Sequence, residues 1–180
     1  MQTTSTRLIT IGAIAVVLAS CVSIDSRVSS EPIDKSATRS ISGEFSNHAS
    51  YRSTGEFLAR DNLADLLNVP ARNADLVRIA LDSSGTLNMT WFVGAEEKAS
   101  RSYSRELGLV FEADGSIELP SKGAFVSGEG AAGYQSLSVR LFINVNGDLA
   151  TIQTGGGGGL FGPIPIGIYA KHLAIFPRKR

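Results

Sequence analysis

From Ile41 onward, apolar and polar residues alternate with a period of two, and each run stops at Gly, Asp or Asn. Alternation of that kind puts every second side chain on one face of an extended chain, so it predicts half-buried strands. Val77, Ile79 and Leu81 share a face opposite Arg78, Ala80 and Asp82. After Asp82, Ser83, Ser84 and Gly85 the pattern resumes with Leu87, Met89, Trp91 and Val93, which predicts a hairpin with one apolar face. The device recurs. Residues 106–112 and 117–119 flank Asp114 and Gly115, and residues 139–145 and 149–154 flank Asn146 and Gly147. Gly85, Gly115 and Gly147 each stand two residues before a core aliphatic, Leu87, Ile117 or Leu149, at intervals of 30 and 32 residues. The flanks share little else, so this is a repeated hairpin and not a solenoid.

Hairpins in series must close, pair their edges or stack as two layers to bury one face. The chain therefore reads as all-β, a single antiparallel meander forming a small barrel or half-barrel. One helix competes: Ala59, Leu63, Leu66 and Leu67 have helical spacing and Val69-Pro70 ends the run, which predicts a short helix near residues 56–68 that plugs or packs on the barrel. The oddest segment is 155–167, with five consecutive glycines followed by Leu160, Phe161, Gly162, Pro163, Ile164, Pro165 and Ile166. It reads as too flexible for a regular strand and too apolar for a solvated linker. A mobile hairpin loop leading into a last strand at 168–176 is the plainer expectation. The sharper one is a flap over a cavity mouth, or a contact with lipid or a partner through Leu160, Phe161, Ile164 and Ile166.

The N-terminus follows different rules. Arg7 precedes an apolar run, residues 8–18, that closes on Ala19 and Ser20, the three-part build of a secretory signal. A spanning helix needs about 20 apolar residues, and this run is too short. It ends in Leu18-Ala19-Ser20-Cys21, which resembles the bacterial lipobox. The resemblance covers these first residues alone. It implies that the Cys21 thiol carries a diacylglycerol, that cleavage falls before Cys21, and that the new amino group is acylated too. Two or three acyl chains make a stable anchor where one would not. Val22, where an Asp tends to retain such proteins in the inner membrane, implies the outer membrane, periplasmic face, in a Gram-negative host. The alternative is ordinary cleavage after Ala19, leaving Cys21 a free thiol. No disulfide can compensate, since Cys21 is the sole cysteine. The expected organisation is a lipoprotein signal at 1–20, a lipidated Cys and flexible Ser- and charge-rich tether at 21–40, and a β-rich periplasmic domain at 41–180.

Composition narrows the chemistry. Seventeen basic residues balance 17 acidic ones, which leaves no electrostatic footprint for nucleic acid. Two matches to G-x-G-x-x-G, at Gly128, Gly130, Gly133 and at Gly157, Gly159, Gly162, open no helix and are rejected as nucleotide sites. His48 and His172 are the histidines, without a G-x-S-x-G elbow or an HExxH pair, and His172 reads as a surface or half-buried strand residue. Arg178, Lys179 and Arg180 read as a solvated end. No catalytic residue, metal ligand or cofactor is assigned. The expectation is an outer-membrane-anchored, non-enzymatic binding or envelope-assembly module, with the membrane (through Cys21) and an envelope protein or lipid as partners. A carrier for lipid or another apolar ligand, with 155–167 as its flap, is the alternative.

Overall fold

The computed structural model describes residues 19–24, 31, 41–53, 60–128, 131–161 and 164–179. Its strands are β1 (Ala19–Ile24), β2 (Gly43–Ser46), β3 (Tyr51–Arg52), β4 (Leu76–Leu81), β5 (Leu87–Val93), β6 (Glu96–Tyr103), β7 (Val110–Phe111), β8 (Ile117–Gly128), β9 (Ala131–Ile143), β10 (Leu149–Phe161) and β11 (Ile164–Phe176). The all-β expectation is met. The closed barrel is not: the described strands form two open sheets, one of order β1-β11-β10-β9-β8-β7 with β3 also on β11, the other of order β2-β4-β5-β6. The single meander breaks between β6 and β7. A 3-10 turn at Arg105–Leu107 ends on Gly108 in the left-handed region, φ 93°, and diverts the chain where a tight hairpin would have kept the strands paired. The sheets then stack. Phe45, Val77, Ile79, Leu87, Met89 and Trp91 of one and Ile117, Leu141, Leu149 and Phe176 of the other belong to one buried cluster.

The three recurring turns share one geometry. In each, the first residue (Asp82, Glu112 or Asn144) accepts from the Gly three positions on, at 3.1, 3.1 and 2.9 Å, and donates to the carbonyl four positions on, at 3.0, 2.9 and 3.0 Å. Only the glycines have positive φ, 81°, 90° and 84°. That is a three-residue loop with a left-handed bulge glycine, which explains why Gly is needed at that one position. Side chains lock the turns differently. Asp82 Oδ1 accepts from the Ser84 and Thr86 amides, and Asn144 Oδ1 from those of Asn146 and Asp148. In the middle turn Asp114 takes over, accepting from Ser116.

Among the described residues the one α-helix, α1 (Leu63–Leu66), is a single turn. Asn62 caps its N-terminus and the Arg101 guanidinium donates to the Leu67 and Asn68 carbonyls at its other end. The expected helix near residues 56–68 does not run through 60–62: Asn62, extended, caps α1 and bridges to His48. Ala59, with the rest of 54–59, lies outside the described residues. Leu63, Ala64, Leu66 and Leu67 complete the core.

Asn47 ties these pieces together. Fully buried, it accepts at Oδ1 from the Ala64 amide (3.0 Å) and from Trp91 Nε1 (3.1 Å), and donates from Nδ2 to the Ala74 carbonyl (3.0 Å). Its backbone bonds to Leu63 and Asp75. One side chain thus fixes β2, α1, the 71–75 loop and β5 against each other. The C-terminus is a second seam. Arg178 lies over the Phe45 ring at 4.7 Å and donates to the Gly147 and Ser42 carbonyls, while the Ser46 and Lys179 amides bond to Pro177 and Glu44. The solvated end expected at Arg178 is instead a stitch between the sheets, because residues 177–179 run along the free edge of β2. Arg180 lies outside the described residues.

Two outcomes follow. Asn47→Ala strands two buried donors and a carbonyl, each worth about 1–3 kcal/mol, so urea unfolding should show a loss on the order of 3 kcal/mol or more. Trp91→Phe removes one donor while Oδ1 keeps Ala64, and should cost about 1–2 kcal/mol. The Asp82 carboxyl is held below its ordinary range by its hydrogen bond from the Ser84 hydroxyl and by the Thr86 amide. A lowered carboxylate pKa stabilises the fold above the unfolded value, and that contribution disappears as pH falls through the folded one. Asp82→Asn, which Asn144 shows to be a competent acceptor, should unfold at a urea midpoint that falls less than wild type's between pH 7 and pH 3.

Candidate functional site

Strands β8 to β11 are 12 or 13 residues long, whereas β2, β4, β5 and β6 have 4 to 8. The short sheet covers one end of the long one. Cross-strand register defines two faces. Ile117, Leu141, Thr151 and Ala174 form one rung of the inner face, which packs on the second sheet. Glu118, Arg140, Ile152 and Leu173 form the adjacent rung, on the outer face. Beyond these rungs the sheet continues into a distal half built from 122–128, 131–138, 154–161 and 164–171, with β1 along its edge.

The glycine run lies in this half, and here the expectation of a mobile loop or flap is corrected. Gly155, Gly156, Gly157, Gly158 and Gly159 are strand residues, paired to 133–137 on one side and to 166–170 on the other. Glycine disfavours a strand through its backbone entropy, but flanking strands impose the geometry from both edges. Alternate glycines also have a steric purpose. A Cβ on Gly157 would fall 2.4 Å from the Tyr134 carbonyl oxygen, and one on Gly159 2.2 Å from that of Ala132. Gly156 and Gly158 meet nothing nearer than 3.6 Å.

The outer face of the distal half is apolar and open. Phe125 (72% exposed), Val22 (62%), Tyr134 (55%), Ile24 (54%), Leu160 (53%) and Tyr169 (41%) are its large side chains. Register puts all six on that one face: Phe125 pairs with Tyr134, Val22 with Tyr169, Ile24 with Lys171, and Leu160 with Ala132. The Tyr134 ring lies across Gly123, covering the site a side chain would fill. Among the described residues, three other large hydrophobics are as exposed, Leu107, Val110 and Val145, and none belongs to this surface. Large contiguous apolar patches mark surfaces that meet a partner or a membrane. The surrounding sequence carries almost no charge. Between Lys122 and Arg140 the one charged residue is Glu129, and between Asp148 and Lys171 there is none.

Of the residues singled out from sequence, Leu160 is on this surface and Ile166 is half-buried on the opposite face, in register with Gly159. Phe161 and Ile164 pair with each other at the hairpin end. Cys21 stands in β1, opposite Ile168. So Cys21, Val22, Ser23 and Ile24 form an edge strand parallel to β11, while 25–30 and 32–40 lie outside the described residues. Sequence alternation had not drawn attention to Phe125, Tyr134, Tyr169, Val22 or Ile24. A signal was present in the charge-free stretches flanked by Lys122 and Lys171, but which residues share a face depends on a register that the β8 irregularity between Leu119 and Lys122 resets.

The histidines do not meet. His48 is exposed in an isolated bridge with Asn62, whereas His172 is 2% exposed on the inner face, beside Gln153 across β10 and β11. His172 is thus fully buried, not the surface or half-buried residue expected from its neighbour Lys171. The Thr151 hydroxyl and the Gln153 amide are also buried there and have no hydrogen-bond partner among the described residues. No group of three or more His, Cys, Asp or Glu side chains converges to hold a metal among the described residues. No helix there is long and apolar enough to cross a membrane. The surface holds exposed apolar side chains at fixed rungs of a sheet. No protein-family model matches the chain, and comparisons with curated proteins and with solved structures give no significant match.

The glycine asymmetry is testable. Gly157→Ala and Gly159→Ala should remove hydrogen-exchange protection from the amides of 155–161 by tenfold or more, while Gly156→Ala and Gly158→Ala should leave it within twofold, as read by exchange mass spectrometry.

Proposed function

We propose that this chain is a lipoprotein anchored through Cys21 to the periplasmic face of the outer membrane, acting as a non-enzymatic module in binding or envelope assembly. The observation that carries the reading is Leu18-Ala19-Ser20-Cys21 closing an apolar run, with Val22 next. Two features support it. The residues that follow Cys21 in β1 contribute Val22 and Ile24 to the exposed apolar face, so the anchored strand and the contact surface are one structure. The polar residues typical of catalysis are dispersed, with His48 and His172 in separate surroundings. A carrier that uses 155–167 as a flap is disfavoured, since the strand parts of that segment pair with neighbours on both sides.

Mass spectrometry of the protein purified from membranes of an exporting Gram-negative host tests the anchor. The N-terminal peptide should begin at Cys21 and carry a diacylglyceryl group and an N-acyl chain, and Cys21→Ser should leave the membrane fraction or accumulate uncleaved. An N-terminal peptide beginning at Ser20 with a free thiol would overturn the reading.

A further inference from the structure

We propose that the outer face of the distal half-sheet lies flat on the bilayer, so that Phe125, Tyr134, Leu160, Tyr169, Val22 and Ile24 sit at the boundary between headgroups and acyl chains. The inference rests on the acylation of Cys21 and adds an orientation to it. Three observations carry it.

First, there is no spacer between lipid and sheet. In a chain cut before Cys21, the acylated residue is itself a rung of β1, opposite Ile168, and the next three residues pair with Tyr169, Ala170 and Lys171. A domain on a 20-residue tether would roam on the order of 25 Å, but a strand that begins at the lipidated residue holds its sheet within a side chain's length of the headgroups. By register Cys21 shares its rung with Ile168, on the opposite face of β1 from Val22 and Ile24, so the anchor lies at the edge of the sheet; of the two faces it brings near lipid, the outer one carries the six exposed side chains.

Second, the chemistry fits a lipid interface. Tyrosines, with a polar hydroxyl on an apolar ring, favour the headgroup level, and aliphatic side chains the boundary beneath it. Lys171, on the same face and half-buried at the inner limit of the patch, is placed to reach anionic phosphates. The patch is otherwise free of charge, so docking desolvates no ionised group.

Third, lying flat is the posture that the backbone allows. The edge of β8 from Ser121 to Gly128 is paired on one side only among the described strands, and unpaired amides and carbonyls are not tolerated inside hydrocarbon. At the interface, water and headgroups satisfy them.

The test places a tryptophan at Phe125, Tyr134 or Val145 in the lipidated full-length mature protein, reconstituted in vesicles of phosphatidylethanolamine and phosphatidylglycerol, 3:1, some carrying brominated chains. Trp91 is buried and serves as the background. Tryptophan at 125 and 134 should be quenched at least threefold more than at 145, which is exposed away from the patch. Equal, weak quenching at all three would overturn the proposal even with Cys21 acylated. A second measurement works without the anchor: the Cys21→Ser chain should co-sediment with the same vesicles, and adding Phe125→Asp with Leu160→Asp should weaken this at least tenfold. Failure of Cys21→Ser to bind vesicles, or a stable dimer in lipid-free solution that the double Asp variant dissociates, would overturn it in favour of a protein contact or a second copy. Absence of acylation in the mass spectrum sinks the anchor reading separately, because the co-sedimentation result does not depend on it.

Discussion

Strands of 12 or 13 residues cannot be covered by strands of 4 to 8. At about 3.3 Å per residue the long sheet extends some 40 Å, and its partner covers little more than half of that. This mismatch organises the molecule. Where the sheets overlap, apolar rungs face one another and the core is buried. Where they do not, the long sheet continues, and its outer face carries large apolar side chains that are exposed.

What lets it continue is local. The outer face of the distal half has its large side chains exposed, and the glycine strand β10 is paired along its length by β9 and β11. Gly157 and Gly159 permit a backbone approach that a Cβ would obstruct. The outer face keeps its aromatic side chains on the neighbouring strands, with Tyr134 across Gly123. The result is a thin apolar sheet, stiffened by register, attached to a body that is packed in the ordinary way. Asn47 and Arg178 explain why that body is stiff: one joins the helix, the loop and two strands through a single buried amide, and the other seals the open edge of the short sheet to the end of β11.

The body and the sheet suit different tasks. In the body many polar groups serve turns and seams, and the two histidines stand apart, His48 exposed beside Asn62 and His172 buried beside Gln153. The sheet offers area, a fixed face and, at its edge, the residue with the sequence context for a lipid. Binding surfaces are often carried on loops whose mobility costs order on contact. Here the exposed groups stand on paired strands, so docking of the proposed kind would cost little conformational entropy.

By itself, the sequence determined the local terms. Period-two alternation made the strands, and Gly85, Gly115 and Gly147 made three turns of one kind, because only glycine takes the left-handed position without strain. The apolar run before Cys21 carried the export reading, which depends on no fold. Tertiary structure decided the rest. Barrel or stacked sheets turned on whether β6 and β7 would pair, and a left-handed Gly108 after a single 3-10 turn directed the chain elsewhere. The glycine run reads as a loop because glycine's own preference is weak; neighbouring strands made it β10. His172 has a polar neighbour and an ordinary strand pattern, and its burial is a matter of tertiary packing that no neighbour in sequence announces. Likewise, no local signal marks Asn47 as a hub, since its partners Ala64, Ala74 and Trp91 lie 17, 27 and 44 residues away. The apolar patch, too, is assembled from β1, β8, β9, β10 and β11. Which of its side chains face together is a matter of register, and register is set by pairing between strands, which no single strand contains.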